Sequence, residues 1–158
     1  MKKKFSHVDA KGKIKMVDVS DKGSTKRSAT ASCTVLTTVD LAARTSAPDE
    51  LHVITSARLA GILAAKSTAQ LIPLCHPLNL DDVQVEIVAV AQGAEIRSSV
   101  ATMRSTGVEM EALTACSIAA LNLLTSLVAD DPSARMNDLV VLQKSGGKSG
   151  DWGRHVEP

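Results

Sequence analysis

The chain has 158 residues, 44% apolar and 22% charged, with a net charge of +1, which describes one soluble globular domain of ordinary size. So even a balance gives no global attraction to nucleic acid or a membrane surface, and Phe5 and Trp152 are the only aromatic residues, so the stacking platforms of single-strand binders are missing. Cys33, Cys75 and Cys116 are odd in number, far apart and without a CxxC pair, which argues against a disulfide framework or zinc ribbon and for a reducing cytoplasm.

The N-terminus, MKKKFSHVDA, is charged with no apolar stretch behind it and does not read as a signal peptide. Residues 1–28 and 144–158 are rich in Lys, Ser and Gly and are expected to be mobile unless a ligand or a neighbouring subunit orders them. Residues 30–38, TASCTVLTT, are β-branched and strand-like. Residues 56–71 set Leu59, Ile62 and Leu63 at helical spacing, and the pattern stops before Pro73. In LIPLCHPLNL, residues 71–80, Pro73 and Pro77 exclude both a central strand and a continuous helix. Residues 83–90 and 95–102 alternate as strands, with AQGA between them as a hairpin turn. A long helix over residues 108–129 and a strand over 138–143 complete the chain.

The order β-α-β-β-α-β predicts an α+β, ferredoxin-like fold, with two helices on one face of an antiparallel sheet. No repeat or low-complexity segment interrupts it, so residues 1–158 form a single domain. Residues 112–129 lack any charge and reach the lower edge of membrane-span length. They also hold two Thr, two Ser and an Asn, which favours a helix buried in the core of a soluble oligomer.

Three stretches carry residues able to do chemistry. Pro77 biases His76 toward an extended conformation, and a stiff loop is a good mount for a catalytic or anion-binding imidazole. The plainer reading is a loop histidine satisfied by backbone hydrogen bonds. Cys75 is expected to point the other way along an extended chain, and His7, His52 and His155 offer no recognisable ligand spacing, so no metal site is expected. KSGGKSG, residues 144–150, lacks the spacing and following helix of a nucleotide-triphosphatase loop. It can still cradle an anion through backbone N–H groups beside Lys144 and Lys148, or be a flexible basic tail. GVEMEALTA, residues 107–115, puts Glu109 and Glu111 in the first helical turn, where they suit the helix dipole. Two residues apart, they stand about 200° apart around the axis, so at most one is expected to face a given pocket.

MVDVS (16–20), ARLAGILAAKSTAQLIPLCHPL (57–78), TGVEMEALTA (106–115) and KSGGKSGDW (144–152) together resemble the MoaC family, the cyclic pyranopterin monophosphate synthases of molybdenum cofactor biosynthesis. The resemblance runs from about residue 5 to residue 152. It implies a ferredoxin-like subunit in a homo-hexamer, a trimer of dimers, with sites at subunit interfaces and no cofactor. It also implies a lyase reaction that converts 3′,8-cyclo-7,8-dihydro-GTP to cyclic pyranopterin monophosphate and pyrophosphate. The family's binding positions are filled here by Arg27, Lys66, His76, Glu109, Met110, Glu111, Lys144 and Lys148. Arg27, Lys66, Lys144 and Lys148 can meet the charge of a purine or pterin triphosphate-like ligand. His76 and one of the two glutamates can hydrogen-bond its ring.

The chain departs from the family where the family's acid–base residues stand. Gap-free counting puts Thr125 and Val128 on an Asp-x-x-Lys pair midway along the long helix, and Glu50 falls on a family Lys. Ser105 stands where many relatives carry Lys. Losing one general acid or base costs on the order of 10²- to 10⁴-fold, so catalysis is expected to be impaired or lost. Two alternatives stay open: an active synthase using substitute residues, and a non-catalytic subunit that co-assembles with an active paralogue.

Overall fold

Alternation along one long strand sets the architecture of the computed structural model, which describes residues 7–45, 51–148 and 150–154. In β1 (Thr25–Leu36), Ala29, Ala31, Cys33 and Val35 are buried toward the helices, and the hydroxyl residues between them turn to the opposite face. Short helix α1 (Leu41–Thr45) leads to α2 (Leu51–Lys66) and the single turn α3 (Thr68–Leu71). β2 (Asp82–Val90) and β3 (Gly93–Arg104) form a hairpin, followed by α4 (Glu109–Thr125), β4 (Arg135–Ser145) and β5 (Trp152–Gly153). The strands lie in the order β2-β3-β1-β4-β5 with antiparallel neighbours, so the fold is the α+β, ferredoxin-like one with an added edge strand. Gly93 is required where the hairpin meets β1. Its φ is 134°, and a Cβ there would run into the Val35 carbonyl.

Helix α2 turns a different face inward from the one its leucines mark. Leu59 and Leu63 are 61% and 66% exposed, while Ala57, Gly61, Ala64 and Ala65 are buried. The reason lies in the crossing with α4. A Cβ on Gly61 would come 2.8 Å from the Ala115 carbonyl and 3.1 Å from the Ala119 Cβ, so only small residues fit between the two backbones. Both helices are shorter than their apolar runs. Ser67 separates α2 from α3, and Thr68 Oγ1 donates to the Ala65 carbonyl at 3.0 Å. Helix α4 stops at Thr125 because the chain tightens into i→i+3 bonds, Ser126 N to Leu123 O and Leu127 N to Leu124 O, each 3.0 Å. Thr125 is therefore the last helical residue and Val128 lies in the following turn, not midway along the helix. No helix among the described residues is long and apolar enough to cross a membrane.

Parts of both chain ends, expected to be mobile, have regular structure: residues 25–28 belong to β1 and residues 144–145 to β4, and β5 pairs back on β4. Arg154 lies over the Trp152 ring at 6.0 Å and donates to the Val141 carbonyl at 3.2 Å. Asp131 ties the loop after β1 to the turn before β4. It accepts from Thr37 Oγ1 and Thr38 N, each at 2.8 Å, and from Ser133 Oγ at 2.6 Å and Ser133 N at 3.0 Å. These donors, Ser133 first, hold its carboxyl well below the usual carboxylate range.

Candidate functional site

A cavity of about 500 Å³ opens where the N-terminus of α4, the loop before β2 and the adjoining ends of β1 and β4 meet. Strand register builds its basic wall. Ala29 pairs with Lys144 and Ser28 with Ser145, which sets the KSGGK turn beside Arg27. Gly146 and Gly147 have φ of 90° and 82°. Side chains there would strike the Lys26 carbonyl and the Arg27 guanidinium respectively. Arg27 is braced by bonds to Thr25 Oγ1 (2.8 Å) and the Ser105 carbonyl (3.4 Å). Arg27, Lys144 and Lys148 all line the cavity.

The proline-bracketed loop forms the second wall. Cys75 N bonds to the Ile72 carbonyl at 3.0 Å, so the loop turns instead of extending. That turn is why Cys75 and His76 both line the cavity, contrary to the opposed directions expected of an extended chain. Burial, and then the charge of Glu111, raise the Cys75 thiol.

Glu109, Met110 and Glu111 complete the site, and here too the sequence expectation fails: both glutamates line the cavity. The angle between them is less decisive at a helix end, because the Glu109 side chain folds back over Gly107. A Cβ on Gly107 would overlap the Glu109 carboxylate. Glu109 Oε1 pairs with Lys144 Nζ at 3.0 Å, with each side chain about one-third exposed (28% for Lys144, 30% for Glu109). Glu111 is only 4% exposed. Its burial, reinforced by the Glu109 charge, pushes its carboxyl up to about 7.

Several lining residues escaped the sequence reading. Val17 and Val19 face the cavity, while Asp18 between them accepts from Ser20 Oγ at 2.7 Å; the alternation in MVDVS was the available signal. Lys22 adds a cation, and His7 lines the cavity with a buried Nδ1 that has no hydrogen-bond partner among the described residues. Lys66 does not join them. It is exposed at the C-terminal end of α2 and outside the cavity lining. Thr125 and Val128 are likewise exposed and away from it. Thr125 Oγ1 donates to the Asn122 carbonyl of its own helix at 2.7 Å. Glu50 and His155 lie outside the described residues. Among the described residues, no three His, Cys, Asp or Glu side chains gather to hold a metal ion.

Fold and site together define an α+β domain whose cavity brings cations from two strands together with carboxylates at a helix N-terminus. The chain belongs to the MoaC family, whose profile matches residues 16–147. It is 48% identical over 160 residues to a cyclic pyranopterin monophosphate synthase of Nocardioides sp., covering 96% of each chain. It is 44% identical over 154 residues to that of Streptomyces avermitilis, covering 96% of this chain and 90% of the relative. A protein named cyclic pyranopterin monophosphate synthase 2 from Mycobacterium tuberculosis is 43% identical over 152 residues, covering 95% of this chain and 91% of the relative.

Proposed function

We propose that this chain is a molybdenum cofactor biosynthesis protein that binds 3′,8-cyclo-7,8-dihydro-GTP in the cavity at the α4 N-terminus, with catalysis of its conversion to cyclic pyranopterin monophosphate impaired. The observation that carries the binding half is the cavity itself, which Arg27, Lys144 and Lys148 line together with Glu109 and Glu111. The cations suit a triphosphate, and the carboxylates suit the N–H edge of a purine-derived ring. His7 Nδ1, which has no hydrogen-bond partner among the described residues, is a further polar atom that a ligand can satisfy.

The impaired half rests on the far end of α4. Neither the Thr125 hydroxyl, already bonded to Asn122, nor the Val128 isopropyl supplies a charge or a titrating proton. The nearby acids do not replace them. Asp130 is paired with Arg44 at 2.6 Å, and Asp131 is fully engaged by Thr37, Thr38 and Ser133. A second reading, an active synthase with substitute residues, draws on Glu111, a cavity carboxyl that changes protonation near pH 7. Pyrophosphate release from the cyclo-GTP intermediate by purified protein separates the two. Turnover near 1 s⁻¹ or faster, ordinary for an enzyme, overturns the impaired reading. Restoring Glu50→Lys, Thr125→Asp and Val128→Lys together is expected to raise the rate far more than any one change alone.

The same reading includes an oligomer of subunits, a hexamer built as a trimer of dimers. Leu59, Leu63, Leu121 and Val128 are exposed on α2, on α4 and just beyond it, and apolar surface of this kind calls for cover by another copy. In such an assembly Lys66, which does not line its own chain's cavity, acts toward a neighbour's. A co-assembled active paralogue is the third reading; co-purification with a catalytically complete family member tests it. Light scattering at micromolar concentration tests assembly, and a monomer refutes it.

A further inference from the structure

We propose that Glu109 is a specificity gate: its carboxylate occupies the cavity's anion position, holds Lys144, and yields it only to a ligand that also offers N–H donors to Glu109. The inference rests on the anion-binding reading of the cavity and adds what the cavity refuses.

Helix α4 begins at Glu109, and Val108 before it provides no side-chain cap. The positive end of the helix dipole is therefore left to whatever anion lies near it. Lys144 from β4 stands at the same place, and Glu109 Oε1 meets its ammonium at 3.0 Å. A glutamate at the first position of a helix suits the dipole in more than one side-chain conformation. Here it folds back over Gly107, into space that any side chain at 107 would fill. The fold-back is a property of the Gly107–Glu109 pair, and it puts an internal carboxylate where a ligand's anionic group would otherwise sit.

The consequence is competition. Pyrophosphate alone competes with Glu109 for Lys144, and a Glu109 that it displaces loses this partner in a cavity that Glu111 also lines. A ligand with both a phosphate chain and a planar donor edge of the guanine type pays no such penalty, because its N–H groups re-pair the displaced carboxylate. One residue thus discriminates against bare anions and against nucleotides whose base edge lacks the matching donors.

Two substitutions open the gate by different means. Glu109→Gln removes the charge. Gly107→Ala keeps the charge but evicts the carboxylate from its place. Gly107 is not among the residues with positive φ, so alanine does not strain the backbone, and the three atoms nearest its Cβ all belong to the movable head of Glu109. Calorimetric titration of inorganic pyrophosphate and of GTP into the full-length protein, with thermal midpoints of each variant measured alongside, tests the idea. Pyrophosphate affinity is expected to rise about three- to tenfold in both variants, and the preference for GTP over pyrophosphate to fall in both. In a Lys144→Ala background, adding Glu109→Gln should change pyrophosphate affinity little, because the competed-for cation is gone. Pyrophosphate binding that is unchanged or weaker in both variants overturns the gate. If wild-type protein still binds GTP in that event, the cavity reading stands without it. Failure of every variant to bind either ligand overturns both.

Discussion

Replacing Glu111 with glutamine removes a buried carboxyl that the fold keeps neutral over most of the acidic range. The side chain is 4% exposed, and its proton is held up to about 7 against an ordinary 4.5. In the unfolded chain the same group ionises near its ordinary value. Between pH 5 and pH 8 the unfolded state is therefore the one that sheds this proton more readily. A raised folded-state value contributes stability that is fully present below the unfolded value and lost as pH rises through the folded one. Integrated over that window, the loss for wild-type protein is about 2.5 kcal/mol, a sizeable share of a typical domain's 5–15 kcal/mol. Glutamine has nothing to titrate, so the variant's pH profile should be flatter by about that amount. Urea denaturation of both proteins at pH 5, 6, 7 and 8 reads the difference directly, at a fixed protein concentration so that any association affects both alike. Parallel profiles would show that Glu111 is ionised throughout and that the burial argument is wrong. Ligand binding gives an independent check: anion affinity in wild-type protein should weaken as pH rises through about 7, and should do so less in Glu111→Gln.

Gly61→Ala is expected to destabilise the protein by about 1–3 kcal/mol despite alanine's better helix propensity, because the new Cβ would meet the Ala115 carbonyl at 2.8 Å; equal or greater stability in chemical denaturation would contradict the tight α2–α4 crossing. Asp131→Ala should lower the thermal midpoint by roughly 5 °C or more, since it strands the donors of Thr37, Thr38 and Ser133. Because the Asp131 carboxyl is held below its ordinary range, that gap should be full at neutral pH and narrow only in strong acid, which melting curves at pH 7 and pH 3 can test.

The strands were legible because alternation survives in the sequence: Ala29, Ala31, Cys33 and Val35 are spaced two apart, and all are buried. The inner face of α2 was not legible. Leucine at helical spacing ordinarily marks the core, but here the limiting quantity is backbone separation from α4, and Gly61 with three alanines meets it. Strand β5 was missed because two residues carry no periodicity; its pairing with Gln143 and Lys144 depends on where the KSGGK turn sends the chain. His76, Lys144 and Lys148 were found from motif chemistry and Arg27 from the family resemblance, and all four line one cavity. The joint placement of Glu109 and Glu111 was not, because a fold-back over Gly107 is a side-chain conformation that helical spacing does not encode. His7 and Lys22 reach the cavity from a segment without regular strands or helices, and so left no pattern to read.

Glu109 and Thr125 stand at opposite ends of α4, with about 24 Å of rigid helix between them. That is some three screening lengths at physiological salt, where the Debye length is about 8 Å. A mutation at one end therefore has little electrostatic route to the other, and a helix carries little strain along its length. The two ends can accordingly diverge under separate selection. A lineage can shed reactive charge at positions 125 and 128 without eroding the pocket at 107–111. On the function proposed above, such a chain keeps a grip on a metabolite that it no longer consumes, and so drifts from catalyst toward reservoir.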